Sequence, residues 1–422
     1  MYTLYFILNL IFLGILVPLY YKDISKNKGL RITIWYIVLT VIPCIISLLV
    51  IEKGTYISEQ KKFGFLNGAT TLYIVYIVLL YLGIKVGYHS LFNRIKYSYS
   101  NRPINKNLLM KMVIVGINSA LVLLYINYLL SPKPYINSGI SRFNYWENST
   151  FPFLNSIFGS VSGFMAFSFG YLFLLDKKKK HLISFFLYFL YLILAGNKFS
   201  ALIIALFLFS IPKLIFIDSL LLILKRNSMK IFIITVIFIS LIYYNYSIFN
   251  PYSYAGYNSV SDAIIQRISI QGHVFWGSLN NLNVGLTKFT FEEIIYGMRT
   301  LMVMLSFYPE NHVLYYYNQG SATFTLGYPS ILNVGVLFPL GLIINFFVGI
   351  FYGMLIKVAT FTIFRGRIIL AIIAIQLISW MNYMLTMAKF EKLLGLQFWT
   401  IVLILMFGLL LSGKNKSDFN EV

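Results

Sequence analysis

Apolar runs of roughly 20 residues recur along the whole chain, and each is long enough to cross a ~30 Å hydrocarbon core as a helix. A bilayer offers the backbone no hydrogen-bonding partners, so a spanning segment must satisfy its own N–H and C=O groups, as a helix does. The runs fall at about 2–20, 32–51, 68–88, 110–130, 153–175, 182–197, 199–217, 231–248, 329–356, 368–387 and 393–411. They predict an all-α polytopic integral membrane protein with about 11 transmembrane helices and a large, partly helical outer loop. Three units follow: an N-terminal bundle of about eight spans over 1–248, the loop over 249–328, and about three spans plus a tail over 329–422.

Charge gives the direction of threading. The net charge of +21 invites a nucleic-acid reading, but its placement argues otherwise. Lys22, Lys26, Lys28 and Arg31 share one short loop, and Arg94, Lys96, Arg102, Lys106 and Lys111 share another. Lys177 to Lys180, then Lys213, Lys225, Arg226 and Lys230, then Lys357, Arg365 and Arg367, and finally Lys414 and Lys416 complete the series. These loops alternate along the chain, which is how lysine and arginine mark the cytoplasmic side. The pattern puts the N-terminus outside and the C-terminus inside, and nucleic acid is not an expected partner.

One stretch tests this threading. Residues 182–217 would make a single helix ~54 Å long, and both flanks are basic. A tight hairpin at Gly196-Asn197-Lys198 resolves both facts and leaves Lys198 at the outer surface. The first apolar run has no basic segment before it and no small-residue cleavage site, so it reads as a retained span. Cys44 is the only cysteine, which excludes an intramolecular disulfide and a cysteine metal site.

No acidic residue is expected inside a span, which argues against ion-coupled transport. P-loop, HExxH, GxSxG and CxxC motifs are missing, so ATP hydrolysis, zinc proteolysis and serine hydrolysis lack support. Four histidines without acidic clustering predict no metal site. The loop 249–328 is too long for a connector and contains two helix-like stretches, 261–279 and 291–307. What remains is an outer face of separated cations among aromatics. Arg142 sits in Ser141-Arg142-Phe143-Asn144-Tyr145-Trp146, Arg267 lies upstream of Trp276, and Lys288, Arg299 and Lys198 complete the set. A guanidinium binds phosphate through paired donors, and rings such as Trp146, Trp276 and Tyr315 to Tyr317 offer faces to sugars. Taken singly, each has a plainer reading: headgroup contact for an arginine, interface belt for an aromatic, ordinary loop polarity for His273 and His312.

The ordered set resembles the Wzy-type O-antigen and oligosaccharide repeat-unit polymerases. Four segments carry it: Ser141 to Trp146, Ala195-Gly196-Asn197-Lys198, Arg267 to Trp276, and Gly327-Tyr328-Pro329-Ser330-Ile331-Leu332-Asn333-Val334-Gly335 leading into a span with Gly341, Gly349 and Gly353. One pattern of some members, Arg-x10-Gly, is missing: Phe153, Ser278 and Glu310 stand where glycine would follow Arg142, Arg267 and Arg299.

The resemblance implies a fold in the polymerase and ligase branch of membrane glycosyltransferases, in the bacterial inner membrane with its large loop periplasmic. It implies transfer of a glycan from one undecaprenyl pyrophosphate onto the sugar end of another lipid-linked unit, with no cofactor or metal. Implied partners are the glycan-bearing lipids, membrane lipids and a chain-length regulator protein. Such a site needs cations for the departing pyrophosphate, a role for Arg142, Arg267, Lys198 and Arg299. It needs a base for the acceptor hydroxyl, a role for His312 or Glu310; the histidine position resembles that of the related O-antigen ligases. Trp146 and Trp276 would stack on sugars. An O-antigen ligase, another polyprenyl-linked glycosyltransferase and a glycolipid flippase are the competing readings.

Overall fold

Helices account for nearly all of the computed structural model, which describes residues 2–90, 108–134, 140, 144–197, 199–217, 259–283, 290–305, 309–318, 327–336 and 338–413, with isolated positions between 228 and 247. The first is α1, Tyr2–Lys26. The second, α2, Lys28–Glu52, opens as a 3-10 helix and widens to a π-helical turn at Ile37–Val41. Pro43 follows that turn and cannot donate to the carbonyl four residues back, which is why the ladder shifts there. A two-stranded antiparallel hairpin, β1 (Tyr56–Ile57) and β2 (Lys62–Phe63), leads to α3 (Ala69–Ser90). Next come α4 (Leu108–Leu130), α5 (Leu154–Asp176), α6 (Lys179–Leu194) and α7 (Phe199–Phe216).

Beyond residue 258 short helices dominate. They are α8 (Val260–Ser269), α9 (His273–Asn283), α10 (Phe291–Ile295), α11 (Met298–Leu305), α12 (Glu310–Asn318) and α13 (Gly327–Gly335). Long helices resume with α14 (Phe338–Phe364), α15 (Ile368–Met387), the one-turn α16 (Glu391–Leu394) and α17 (Leu396–Gly413). Among the described residues, six helices are long and apolar enough to cross a membrane: α1, α2, α3, α4, α14 and α15. Shorter apolar segments lie in α5, α7 and α17.

The hairpin at Gly196 is present: α6 and α7 are separate helices, and Gly196 takes φ 73° to turn the chain. Three expectations need correction. The run at 329–356 is not one span, because α13 stops at Gly335 and a new helix starts at Phe338. Pro339 has no N–H to continue the earlier ladder but fits the first turn of the next helix. The stretches 261–279 and 291–307 are each two helices, broken at 270–272 and at Tyr296-Gly297, where Gly297 has φ 25°. Three acids also fall within apolar helices, Asp23 near the end of α1, Glu52 at the end of α2 and Asp176 at the end of α5. The expected span at 231–248 lies outside the described residues, apart from isolated positions.

The central contact is α3 against α14. A Cβ built on Gly83 or Gly87 would strike the Phe346 or Ile350 carbonyl, and one on Gly349 or Gly353 would strike Leu80 or Ile84. Glycines four apart on both helices bring the backbones together, as small residues do inside membranes. A second group, α5 to α7, packs through Gly170 against Phe209 and joins α15.

The bundle has two distinct ends. At one, the buried Arg31 guanidinium donates to Ile24 O (3.0 Å), Leu214 O (2.9 Å) and Ile217 O, a cation at the carbonyl ends of α1 and α7. Lys85 pairs with Asp23 (2.9 Å), and the Tyr171 hydroxyl donates to Ile363 O (2.9 Å) at the same end. The other end carries Glu52, the hairpin, α8, α9, α13 and the Met387-Ala388 turn. Among the described residues, the loops that the basic pattern groups together therefore share one end.

Candidate functional site

The second end is a latched polar assembly. Ser47 sits one turn before the end of α2, donates to Ser269 O (2.8 Å) and accepts from the Gly272 N–H (2.7 Å). Gly272 is needed there, since a Cβ would press on Ser47. The break between α8 and α9 is thus pinned to a membrane helix. From the hairpin side, Gln60 Nε2 donates to His273 O (2.9 Å), and Gln266 bridges by donating to Tyr56 O (2.5 Å) and accepting from Ser58 N (3.2 Å). Asn67 donates to Trp276 O (3.2 Å), and the Trp276 indole N–H donates to Phe65 O (2.9 Å). Buried amides and carbonyls that lose water must find such partners, so the loop between α2 and α3 and the α8–α9 segment form one unit.

His273 lies inside this latch. It is fully buried, with Nδ1 2.7 Å from Ile270 O and Nε2 3.6 Å from the Glu59 carboxylate. Burial lowers its pKa below the usual histidine value, against the opposing pull of Glu59 and the Ile270 carbonyl. At the start of α10, Thr290 and Glu293 form a reciprocal capping box. The Thr290 N–H and hydroxyl both donate to Glu293, and these bonds hold its carboxyl below the ordinary range.

The expected site residues divide into groups. Arg299, on α11, is half-buried with its guanidinium 5.2 Å from the centre of the Tyr296 ring. Glu310 and His312 are exposed in the first turn of α12. A small apolar cluster of Met298, Met302 and Val313 packs α11 onto α12, which brings Arg299, Glu310 and His312 onto one supported pair of helices. Arg267 is exposed in the last turn of α8, on a different support formed by α2 and β1. Trp146 is half-buried between Tyr145 (5.2 Å) and Phe158 (5.6 Å). Trp276, the other expected sugar-stacking residue, is fully buried, with its ring edge-on to Phe65 (5.2 Å). Arg142, Lys198 and Lys288 lie outside the described residues. Among the described residues no three His, Cys, Asp or Glu side chains gather as metal ligands.

Sequence reasoning missed the latch. Ser47 was visible as a polar residue in an apolar run, and Gly83-x3-Gly87 with Gly349-x3-Gly353 was visible as matched spacing. Nothing in the chain, however, announces that Gln60 meets a carbonyl of residue 273.

A family of unknown function, DUF6418, matches residues 292–408. The matched segment begins inside α10 and runs into α17, so it contains Arg299, Glu310, His312 and α13. No curated protein and no solved structure matches the chain.

Proposed function

We propose that this protein polymerises undecaprenyl-pyrophosphate-linked oligosaccharide repeat units at the outer face of a bacterial inner membrane, threaded about eleven times with its latched end outside. The observation that carries the reading is the α11–α12 pair, which presents a cation, a carboxylate and an imidazole on one supported pair of helices. In the proposed step the acceptor hydroxyl attacks the anomeric carbon of the donor glycan. A new C–O bond forms, the bond to pyrophosphate breaks, and undecaprenyl pyrophosphate leaves. His312 or Glu310 takes the hydroxyl proton. Arg299 and Arg267, with Arg142 and Lys198, stabilise the charge on the leaving pyrophosphate. No nucleotide is required, because the donor bond is already activated.

Deleting the gene in its native host and running the surface glycans on a gel tests this. The expected result is a core bearing one repeat unit, with the ladder restored by the intact protein but not by Arg299→Ala or His312→Ala plus Glu310→Gln. Finished polymer left on its lipid carrier would instead identify a ligase, and single units held on the cytoplasmic face a flippase.

A further inference from the structure

Below the latched end, five elements send neutral polar side chains into the bundle. Tyr36 comes from α2, Tyr73 and Tyr76 from α3, Tyr328 and Asn333 from α13, Tyr352 from α14 and Asn382 from α15. All seven are at most 6% exposed. Tyr36 is the hub, within electrostatic reach of Tyr73, Tyr328, Tyr352 and the Cys44 thiol. Tyr76 donates to Asn333 Oδ1 (3.3 Å), and Tyr352 donates to Asn382 Oδ1 (2.8 Å).

These bonds leave five atoms with no hydrogen bond to a nitrogen or oxygen among the described residues: the hydroxyls of Tyr36, Tyr73 and Tyr328, and the amide nitrogens of Asn333 and Asn382; Tyr73 has only the weakly bonding Cys44 thiol beside it. An isolated buried polar atom is uncommon in a protein, and five around one hub are far outside the usual pattern. Lipid supplies no donor or acceptor at this depth. The lining groups are uncharged, so they suit a neutral hydrogen-bonding guest and give an ion no counter-charge. The hydroxyls donate or accept and the amide nitrogens donate, which matches the two-way capacity of water.

We propose that Tyr36, Tyr73, Tyr328, Asn333 and Asn382 line a buried hydration site that holds a cluster of ordered waters between α13 and the membrane helices. A buried water makes about three hydrogen bonds, so these open atoms call for at least about two waters. The site makes a wet, uncharged base for α13, on which α9 and α11 rest.

The sign of a conservative substitution tests it. Tyr36→Phe, Tyr73→Phe and Tyr328→Phe each remove one hydroxyl and keep the ring. If the hydroxyl holds water, each variant of the full-length purified protein melts about 1–3 °C lower; if the site is dry, removing a costly orphan raises the melting temperature. Radiolytic labelling read by mass spectrometry gives an independent readout, because radicals form from bound water. Tyr36, Tyr73 and Tyr328 are expected to be oxidised, while the equally buried Tyr171, bonded to Ile363 O, is not. Unchanged or raised melting temperatures, or labelling no greater than at Tyr171, would overturn the proposal.

Discussion

The Glu52 carboxylate accepts from the Ala69 N–H (2.8 Å) and the Thr70 hydroxyl (2.5 Å), so the last residue of α2 caps the first turn of α3. It is 4% exposed, and truncation would leave the buried Thr70 hydroxyl unpaired and the Ala69 N–H with only the Asn67 side-chain oxygen (3.1 Å). Glu52→Ala is expected to lower stability by about 1–3 kcal/mol, and Glu52→Gln, which keeps one acceptor oxygen, by less; thermal melts of the purified protein measure both. His273 sets a pH dependence of definite sign. Its pKa is lowered in the fold, so below the ordinary histidine value of about 6.5 the unfolded chain takes up a proton that the folded protein resists. Its contribution to stability is full above that pH and is lost as pH falls towards the folded pKa. Melting temperatures between pH 8 and pH 5 should therefore drop, with a shallower slope in His273→Gln. Neither role was legible in the sequence. His273 reads there as an ordinary loop residue, and its partners Glu59 and Gln60 belong to the distant loop between α2 and α3. A single sequence carries composition and local spacing, not pairing across more than two hundred residues.

The elements were more legible, because hydrophobic run length is a local property. Helices formed where runs were expected at 68–88, 110–130, 153–175 and 368–387, and the turn at Gly196-Asn197 followed from the length a bilayer permits. The failures came where backbone chemistry interrupts hydrophobicity. Gly335 and Pro339 divide an apolar stretch that composition alone joins, and Gly297 does the same between α10 and α11. The glycines of the α3–α14 contact give a prediction of opposite signs. Gly87→Ala and Gly353→Ala push a methyl into facing carbonyls and should destabilise by about 1–3 kcal/mol. Gly14→Ala and Gly116→Ala, where a Cβ meets nothing within 4 Å, should be neutral or slightly stabilising, since alanine is the better helix former. Fluorescence melts of the four variants in detergent would show the split. If all four behaved alike, the α3–α14 crossing would not be the close backbone contact described.

At the scale of the whole molecule, two independent features point to the same sidedness. The basic loops share the end where Arg31 joins the carbonyl ends of α1 and α7, and the hairpin and short helices share the other. Moving lysine-rich segments across a bilayer is unfavourable, so the basic end is expected to stay in the cytoplasm. Three helices, α3, α4 and α5, separate the hairpin from the Lys177–Lys180 run, and three crossings would put the two on opposite sides. Cys44 is 1% exposed, so the native thiol contributes little background to cysteine labelling. Lys62→Cys in the hairpin and Lys178→Cys after α5 both replace exposed residues. In spheroplasts a membrane-impermeant maleimide should label Lys62→Cys at once and Lys178→Cys only after permeabilisation. The reverse order would invert the protein and place Arg267, Arg299 and His312 in the cytoplasm, away from any periplasmic glycan. Equal labelling of both before permeabilisation would mean that α3 to α5 do not carry the chain across, and the polytopic reading itself would fail.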